Sequence, residues 1–562
     1  MPGDDRRGAV SEEDEDVGRG DERSTGHPKS SQLRGPQVAD DRGVCQQEDW
    51  LSDESQEGRH GQSQDLTPLV QGSIRTQEPV AFHDRTCGRL ETRSKPRPLV
   101  MSSEVVLVVD REVKEVRMRV ADVMAPLVTA GLGGSASVHL TCWDGSELGP
   151  PDAPVQLTIT SPHALRRLLW APNQLGFARA YVSGDILIGG DLLGALSVLE
   201  QVADPEFGPG VVIDGSTRRA IVTAALRLGI VGLPPRPPAE ESKLGGLRQS
   251  KGRAAKAIAH HYDVGNEFYE LVLGQTMAYS CAYYDQEPGA AFGLDAAQLA
   301  KCDLVSRKLG LEPGMRVLDV GCGWGAFVCH AARQYEVEAV GITLSREQAD
   351  YAHRRAVEEG VGDRVEIRVQ DYRDVDDGPY DAIASIGMAE HVGQAMLPTY
   401  SENLFVLLSP GGRLLNHAIS RRPGPPERFS RTSFIDRYVF PDGELEPLAV
   451  MVAALEEAGF EVRDVESLRE HYALTLRAWV ANLEANWEQA VERSTAGRAR
   501  VWRLYMAGSA LAFEGNRIGV NQVLAVRPTV RGVSGMPRSR VSLLGSTAPA
   551  PAVLAPSLSS GA

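Results

Sequence analysis

Residues 317–325 read Val-Leu-Asp-Val-Gly-Cys-Gly-Trp-Gly. A short apolar run carrying one acidic residue passes straight into a turn with glycine at 321, 323 and 325, and Ala326–Tyr335 then reads as a helix. Glycine at such positions lets the backbone turn tightly and approach a ligand that a side chain would exclude. A Gly-x-Gly-x-Gly run alone is a weak signal, because ordinary tight turns use the same residue. Its place after a strand and before a helix gives it weight. The spacing is tighter than the Gly-x-Gly-x-x-Gly of dinucleotide binders. The stretch therefore predicts the first strand, ligand loop and first helix of an α/β sheet.

Working outward, strand and helix alternate from Ala259 to about Pro528, the pattern of a parallel α/β sheet. Val317–Val320 is the first strand and Val337–Ile342 the second. Val365–Val369, Ala382–Ile386 and Arg413–His417 follow, and Glu461–Ser467 with Val520–Arg527 close a seven-stranded sheet. Upstream, residues 116–204 pattern as a small mixed α/β unit. Val138–Trp143 alternates like a half-buried strand and runs into the turn Asp144-Gly145, with Val155–Thr160 read as its partner. Pro162–Trp170 and Leu192–Val202 read as helices. The run Leu233-Pro-Pro-Arg-Pro-Pro-Ala239 marks a linker, since proline disrupts both ladders and helices. The expected organisation is a disordered extension over 1–100, an accessory domain over 101–232, a linker over 233–256, the sheet domain over 257–529 and a disordered tail over 530–562. The two termini are rich in polar residues, glycine and proline and bury too little apolar surface to offset their ordering entropy. Met101, just before the apolar Val105–Val109, is a candidate translation start that N-terminal sequencing would test.

Composition narrows the function classes. The chain has 562 residues, 42% hydrophobic and 24% charged, with a formal net charge of −16. That charge argues against a dedicated nucleic-acid binder, which normally carries a basic surface. The seven cysteines are odd in number and form no Cys-x-x-Cys pair, so neither a metal site nor a disulfide framework is expected. Reduced thiols in a cytoplasmic protein are the simplest reading. No apolar run is long enough for a membrane span, and Met1–Gln32 lacks a signal-peptide hydrophobic region. Lys243, Arg248, Lys251, Arg253 and Lys256 lie close together, as a solvated basic linker or as a patch for anionic lipid headgroups.

Several further motifs converge. They are His260-His-Tyr262-Asp263, Tyr279-Ser-Cys-Ala-Tyr283, Gly341-Ile-Thr-Leu-Ser345, Ser385-Ile-Gly-Met-Ala-Glu-His-Val-Gly393 and His471-Tyr472. With the glycine loop, which resembles the nucleoside-binding loop of S-adenosylmethionine-dependent methyltransferases, they closely resemble the cyclopropane-fatty-acyl-phospholipid synthases and mycolic acid cyclopropane synthases. The resemblance spans about residues 255–527 and implies a class I, Rossmann-like methyltransferase fold. Residues 116–204 resemble the accessory domain of the phospholipid-acting members.

The resemblance implies attack of an acyl cis double bond on the sulfonium methyl, then proton removal by a bound bicarbonate as the ring closes. Carried over motif by motif, the bicarbonate cradle is Cys281, Glu390, His417, Tyr472 and the backbone of Ile419. Hydrogen bonds from His and Tyr would orient the ion, and Glu390 would share protons with it. The implied S-adenosylmethionine contacts are Tyr262, Tyr279, Ser280, Val317, Leu318, Asp319, Val320, Gly321, Cys322, Gly323, Trp324, Gly325, Thr343, Leu344, Gln348, Asp371 and Tyr372. Thr343 and Ser345 read equally well as caps of the next helix. Met388-Ala389 stands where relatives often carry a bulky aromatic, which bears on the shape of the acyl pocket. In Arg421–Glu446, aromatic residues interleave with arginines, as a core helix or as a lid over the acyl chain with arginines facing phosphates. The implied partner is the unsaturated phospholipid acyl chain at the inner membrane surface, reached by peripheral association, with no nucleic acid; a homodimer is left open. A methylene-branched product and a non-catalytic lipid-binding protein on the same fold are the two alternatives.

Overall fold

The computed structural model describes residues 119–132, 137–203, 215–242, 264–424, 433–441 and 443–544. The expected extension over 1–100, the candidate start at Met101, the whole basic cluster from Lys243 to Lys256 and Tyr262 with its His-His-Tyr-Asp motif lie outside the described residues.

The N-terminal unit is a four-stranded sheet of β1 (Val138–Thr141), β2 (Glu147–Leu148), β3 (Val155–Ile159) and β4 (Ile186–Gly189), in the order β2-β1-β3-β4. Val155–Ile159 does pair with Val138–Thr141, but in parallel, with Leu140 opposite Leu157. The turn at Asp144-Gly145 serves the short antiparallel β2, where Leu140 faces Leu148. Asp144 explains the choice of turn. Its Oδ1 accepts from Ser146 N and Oγ (3.1 and 2.6 Å), and its Oδ2 accepts from Val120 N (2.9 Å) at the start of the helix Val120–Leu132. The helix Pro162–Trp170 begins where expected, with Ser161 as its cap.

The second sheet contains β5 (Arg316–Val320), β6 (Glu338–Thr343), β7 (Val365–Val369), β8 (Tyr380–Ile386), β9 (Leu408–Arg421), β10 (Glu446–Pro447), β11 (Glu461–Ser467) and β12 (Ile518–Val526). Its path is β11-β12-β9-β8-β5-β6-β7, which holds all seven expected strands. The eighth strand is the two-residue β10, set beside the end of β9 with Glu446 opposite Ser420. It was not anticipated, because β9 continues past His417 to Arg421 and offers an edge there. The chain runs from β5 outward to β7 and then returns to β8 on the other side of β5. The carboxyl ends of β5 and β8 thus flank a topological switch point, where ligands bind in open α/β sheets. β12 runs antiparallel to both neighbours.

One apolar core joins the two sheets' layers. Val138, Leu175, Tyr181 and Leu192 of the N-terminal unit pack in the same cluster as Trp479, Trp502, Met506 and Phe513. The latter four lie on the helices Arg469–Ala485 and Ala496–Glu514. Polar ties cross as well: Arg503 donates to Tyr181 Oη (3.3 Å), and Arg517 pairs with Glu200 (2.8 Å). The tail expected to be disordered from Val530 is held through residue 544. Arg540 pairs with Asp464 (2.8 Å), and Leu543 is buried against the sheet domain.

Candidate active site

β5 delivers the chain into the glycine loop, where Gly321, Gly323 and Gly325 have φ of +88°, +53° and +82°. Other L-residues take this left-handed backbone only at a cost. Gly321 N and Cys322 N both donate to Ile342 O (3.0 and 2.9 Å), which ties the loop to β6. The loop floors a cavity at the switch point, walled by residues 277–280, by Thr343, Leu344 and Gln348 after β6, by residues 370–373 after β7, and by Gly387 and Met388 after β8.

Most expected cofactor residues meet in this cavity. Tyr279, Ser280, Asp319, Val320, Gly321, Cys322, Gly323, Trp324, Thr343, Leu344, Gln348, Asp371 and Tyr372 all line it. Val317 and Leu318 do not; both are fully buried in the core beneath the loop. Gly325 does not line it either, and serves helix packing, since a Cβ there would meet Ala352 Cβ at 3.0 Å. Ser345 is the cap of the helix Arg346–Glu358, its Oγ accepting from Gln348 N (3.2 Å). Thr343 Oγ1 instead donates to Gln348 Oε1 (2.8 Å), so two cavity side chains orient one another. Asp371 grips Arg373 (2.8 and 2.6 Å) and caps the short turn of helix 372–374. Asp319 is buried, with Oδ1 lacking a partner among the described residues. Burial pushes its carboxyl up to about 7, against the pull of the Lys301 ammonium.

Of the expected cradle residues, His417 and Ile419 lie on β9, Tyr472 on the helix Arg469–Ala485, and Glu390 and Cys281 in the turns after β8 and before the helix Leu294–Leu309. Cys281 Sγ lies 3.2 Å from Ala282 O and 3.6 Å from Leu468 O. The same Leu468 carbonyl accepts from Tyr472 N (3.1 Å), and Leu468 N donates to Val520 O (2.9 Å), opposite Ile419. Glu390 Oε1 accepts from Ile419 N (2.7 Å). That backbone donor, expected to face an anion, is thus given to the carboxylate. Glu390 Oε2 and His417 Nε2 are both buried with no hydrogen-bond partner among the described residues. Burial raises Glu390 to about 7, partly offset by the Ile419 N–H. Burial, with Lys301 and Lys308 nearby, lowers His417 to about 3, so its imidazole is neutral. Burial also pushes the Cys281 thiol well above its ordinary range. Cys281 is therefore a thiol at neutral pH, not a nucleophile.

Aromatic rings back the cavity. Tyr279 lies 5.3 Å from Trp479 and 5.7 Å from Trp502 between ring centroids, and its hydroxyl donates to Tyr505 Oη (3.4 Å). His471 accepts from Tyr284 N (3.0 Å) and stacks on Tyr283 (5.0 Å), so two of the sequence motifs are one contact. Within Arg421–Glu446, the helix Phe434–Tyr438 buries Phe434 and Tyr438, as a core helix does. Arg437 approaches Glu241 (3.8 Å), and the segment's Arg428, Phe429 and Arg431 lie outside the described residues.

Lys301 was missed. It is 2% exposed, lines the cavity and donates to Ser280 Oγ (3.1 Å). Gln298 holds the same segment through Ser280 O (2.8 Å). The signal was present: Ala297, Lys301, Leu304, Val305 and Lys308 share one helical stripe, placing two lysines on an apolar face. His391 also lines the cavity, is lowered to about 4 by burial, and meets Phe440 edge to face.

The chain is similar to several known proteins. A family profile described as mycolic acid cyclopropane synthetase matches residues 249–523. A probable fatty acid methyltransferase of Mycobacterium tuberculosis is 41% identical over 415 residues, covering 72% of this chain and 94% of the relative. The cyclopropane-fatty-acyl-phospholipid synthase of Escherichia coli K12 is 35% identical over 312 residues, 55% of this chain and 78% of the relative. Among solved structures, a mycolic acid cyclopropane synthase complexed with SAH and CTAB is 34% identical, covers 48% of this chain and 97% of its own, and superposes with a TM-score of 0.45.

Proposed function

The chain belongs to the cyclopropane synthase family of S-adenosylmethionine-dependent methyltransferases, and from that premise we propose that it adds the cofactor's methyl carbon across the cis double bond of a phospholipid acyl chain, closing a cyclopropane ring. The observations that carry the reading are the cavity over the glycine loop and, on the turn after β8 and on β9, two buried polar atoms without a hydrogen-bond partner among the described residues, Glu390 Oε2 and His417 Nε2. Bound S-adenosylmethionine supplies an electrophilic methyl, and bound bicarbonate supplies a proton acceptor. The donor set fits an oxyanion: His417 is neutral and able to donate, and Glu390, poised near 7, shares a proton with a neighbouring oxygen. Gly321 and Gly323 let the nucleoside lie against the backbone, and Gln348 with Thr343 shapes its wall. The Tyr279, Trp479, Trp502 and Tyr505 rings offer negative faces that stabilise cationic character, at the sulfonium or on the acyl chain. The buried setting keeps water from a reactive cation.

A second reading has a specific observation behind it. The relative with 41% identity over 94% of its length is named a probable fatty acid methyltransferase. On that reading the same first step ends in proton loss without ring closure, leaving a methylene branch. Peripheral action at the inner membrane surface is part of the proposal; no helix among the described residues is long and apolar enough to cross a membrane. Mass spectrometry of lipids from a host expressing the chain is the test. A gain of one CH2 with the olefin lost supports the ring. A gain with the olefin retained supports the branch, and no gain in a host making soluble protein overturns both.

A further inference from the structure

Behind the cradle runs a buried polar chain that the reaction scheme does not use. Lys308, fully buried on the helix Leu294–Leu309, donates to a carboxylate oxygen of Glu466, lies 3.8 Å from Asp464 and donates to Gln522 Oε1 at 2.8 Å. Gln522, also fully buried, sits on β12 directly opposite His417 on β9. Its Nε2 lies 3.3 Å from His417 Nδ1. An ammonium has only donors, so the amide oxygen must face Lys308; the reverse orientation would set two donor groups against each other. The amide nitrogen then faces the imidazole, and it too can only donate. Nδ1 must accept, and the single ring proton must sit on Nε2. Nε2 is the atom left without a partner among the described residues.

We propose that Gln522, oriented by Lys308, is a positioning residue that locks His417 in the Nε2–H tautomer and so presents a hydrogen-bond donor to the oxyanion of the cradle. The assignment of a task to that donor rests on the reading of the cradle given above; the tautomer itself does not. The charged groups bearing on this chain are Lys301 on one side and Glu466, Asp464 and Arg540 on the other. The arrangement means that His417 acts as a donor and not as the base: its accepting nitrogen is turned into the core and occupied. Lys308 is lowered by burial but held up by Glu466. That pair supplies the asymmetry that reads the glutamine one way only.

The experiment uses the full chain labelled with 15N-histidine, with His417 assigned by the signal lost in His417→Ala. The wild-type protein should show Nε2 protonated and Nδ1 unprotonated; the opposite pattern overturns the proposal without any variant. Gln522→Glu keeps the shape but replaces the amide donor by an acceptor. It should move the single ring proton to Nδ1, and turnover on unsaturated phospholipid vesicles should then fall about 100-fold. S-adenosylmethionine affinity should stay within about threefold, because Gln522 lies outside the cofactor cavity. If Gln522→Glu leaves the wild-type tautomer in place, the proposal fails. If the tautomer changes and turnover does not, the tautomer lock stands, while the donor role and the cradle reading behind it fail.

Discussion

A Cβ at Gly323 would meet nothing within 4 Å, whereas one at Gly321 would come within 3.2 Å of Met388 and one at Gly325 within 3.0 Å of Ala352. The three glycines thus fail differently when substituted. Gly323→Ala should cost about 1 kcal/mol of stability from its left-handed backbone, yet weaken S-adenosylmethionine binding at least tenfold, since the new methyl projects into the cavity. Calorimetry decides it: unchanged affinity in folded Gly323→Ala would remove the loop from the cofactor site. Gly325→Ala should lose mainly stability. Glu390 couples stability to pH. Its carboxyl is raised from 4.5 to about 7 by burial, so the native state holds its proton more tightly than the unfolded chain does. Stability from this group is full below about 4.5 and is lost as pH rises through about 7. Glu390→Gln removes that loss, so the variant's stability relative to wild type should climb between those values, by on the order of 3 kcal/mol, and then level off. Denaturant melts of the apoprotein across pH check it; a pH-independent difference would contradict a buried, raised carboxyl. The same variant should lose turnover on lipid, so that stability and activity move in opposite directions.

The helix Arg346–Glu358 carries one wall of the cavity, and its start is set by Ser345. Ser345→Ala should cost about 1 kcal/mol and loosen Gln348, whose backbone N–H it caps. Cofactor affinity should fall by less than in Gly323→Ala, because the cap acts at one remove. A larger loss in Ser345→Ala would mean that the hydroxyl touches the ligand. Capping chemistry at this element was legible, since Ser345 precedes a polar, helix-favouring run; its neighbour Thr343 was not decidable until both partners were placed. In the N-terminal unit the pairing of Val155–Ile159 with β1 was legible and its parallel direction was not. Asp144-Gly145 signals a turn, but which later strand pairs with β1, and in which direction, depends on Asp144 also holding the helix Val120–Leu132.

On the scale of the whole chain, the N-terminal unit keeps an apolar cluster of its own around Met124, Leu140 and Leu165 and shares a second with the sheet domain, so the two are tied across the proline-rich linker. A fragment of residues 233–562 would expose Trp502, Met506 and Phe513 on their N-terminal-facing side and should aggregate or bind apolar dye. The intact protein should melt in one transition by calorimetry; two resolved transitions would speak against a common core. Removing residues 530–562 should be milder, yet not neutral, because Arg540 and Leu543 are held by Asp464 and the sheet domain. Asp464 also stands behind Lys308, which links the tail to the polar chain ending at His417.

Residues 317–325 predicted the central strand, ligand loop and helix, because a buried strand, three glycines and a helix in that order place a ligand loop at the carboxyl end of β5. The succession of strands followed from periodicity, which reports burial, a local property, while most cavity residues were implied by the resemblance of the motifs to the family. Only the tertiary structure decided that Ile419 N–H bonds Glu390, that Lys301 enters the cavity, and that Gln522 reads Lys308 on one side and His417 on the other. These contacts join residues 21 to 214 positions apart, outside the reach of any periodic pattern. A hydrogen bond depends on which donor arrives opposite which acceptor, and that is settled by strand register and helix packing across the whole chain.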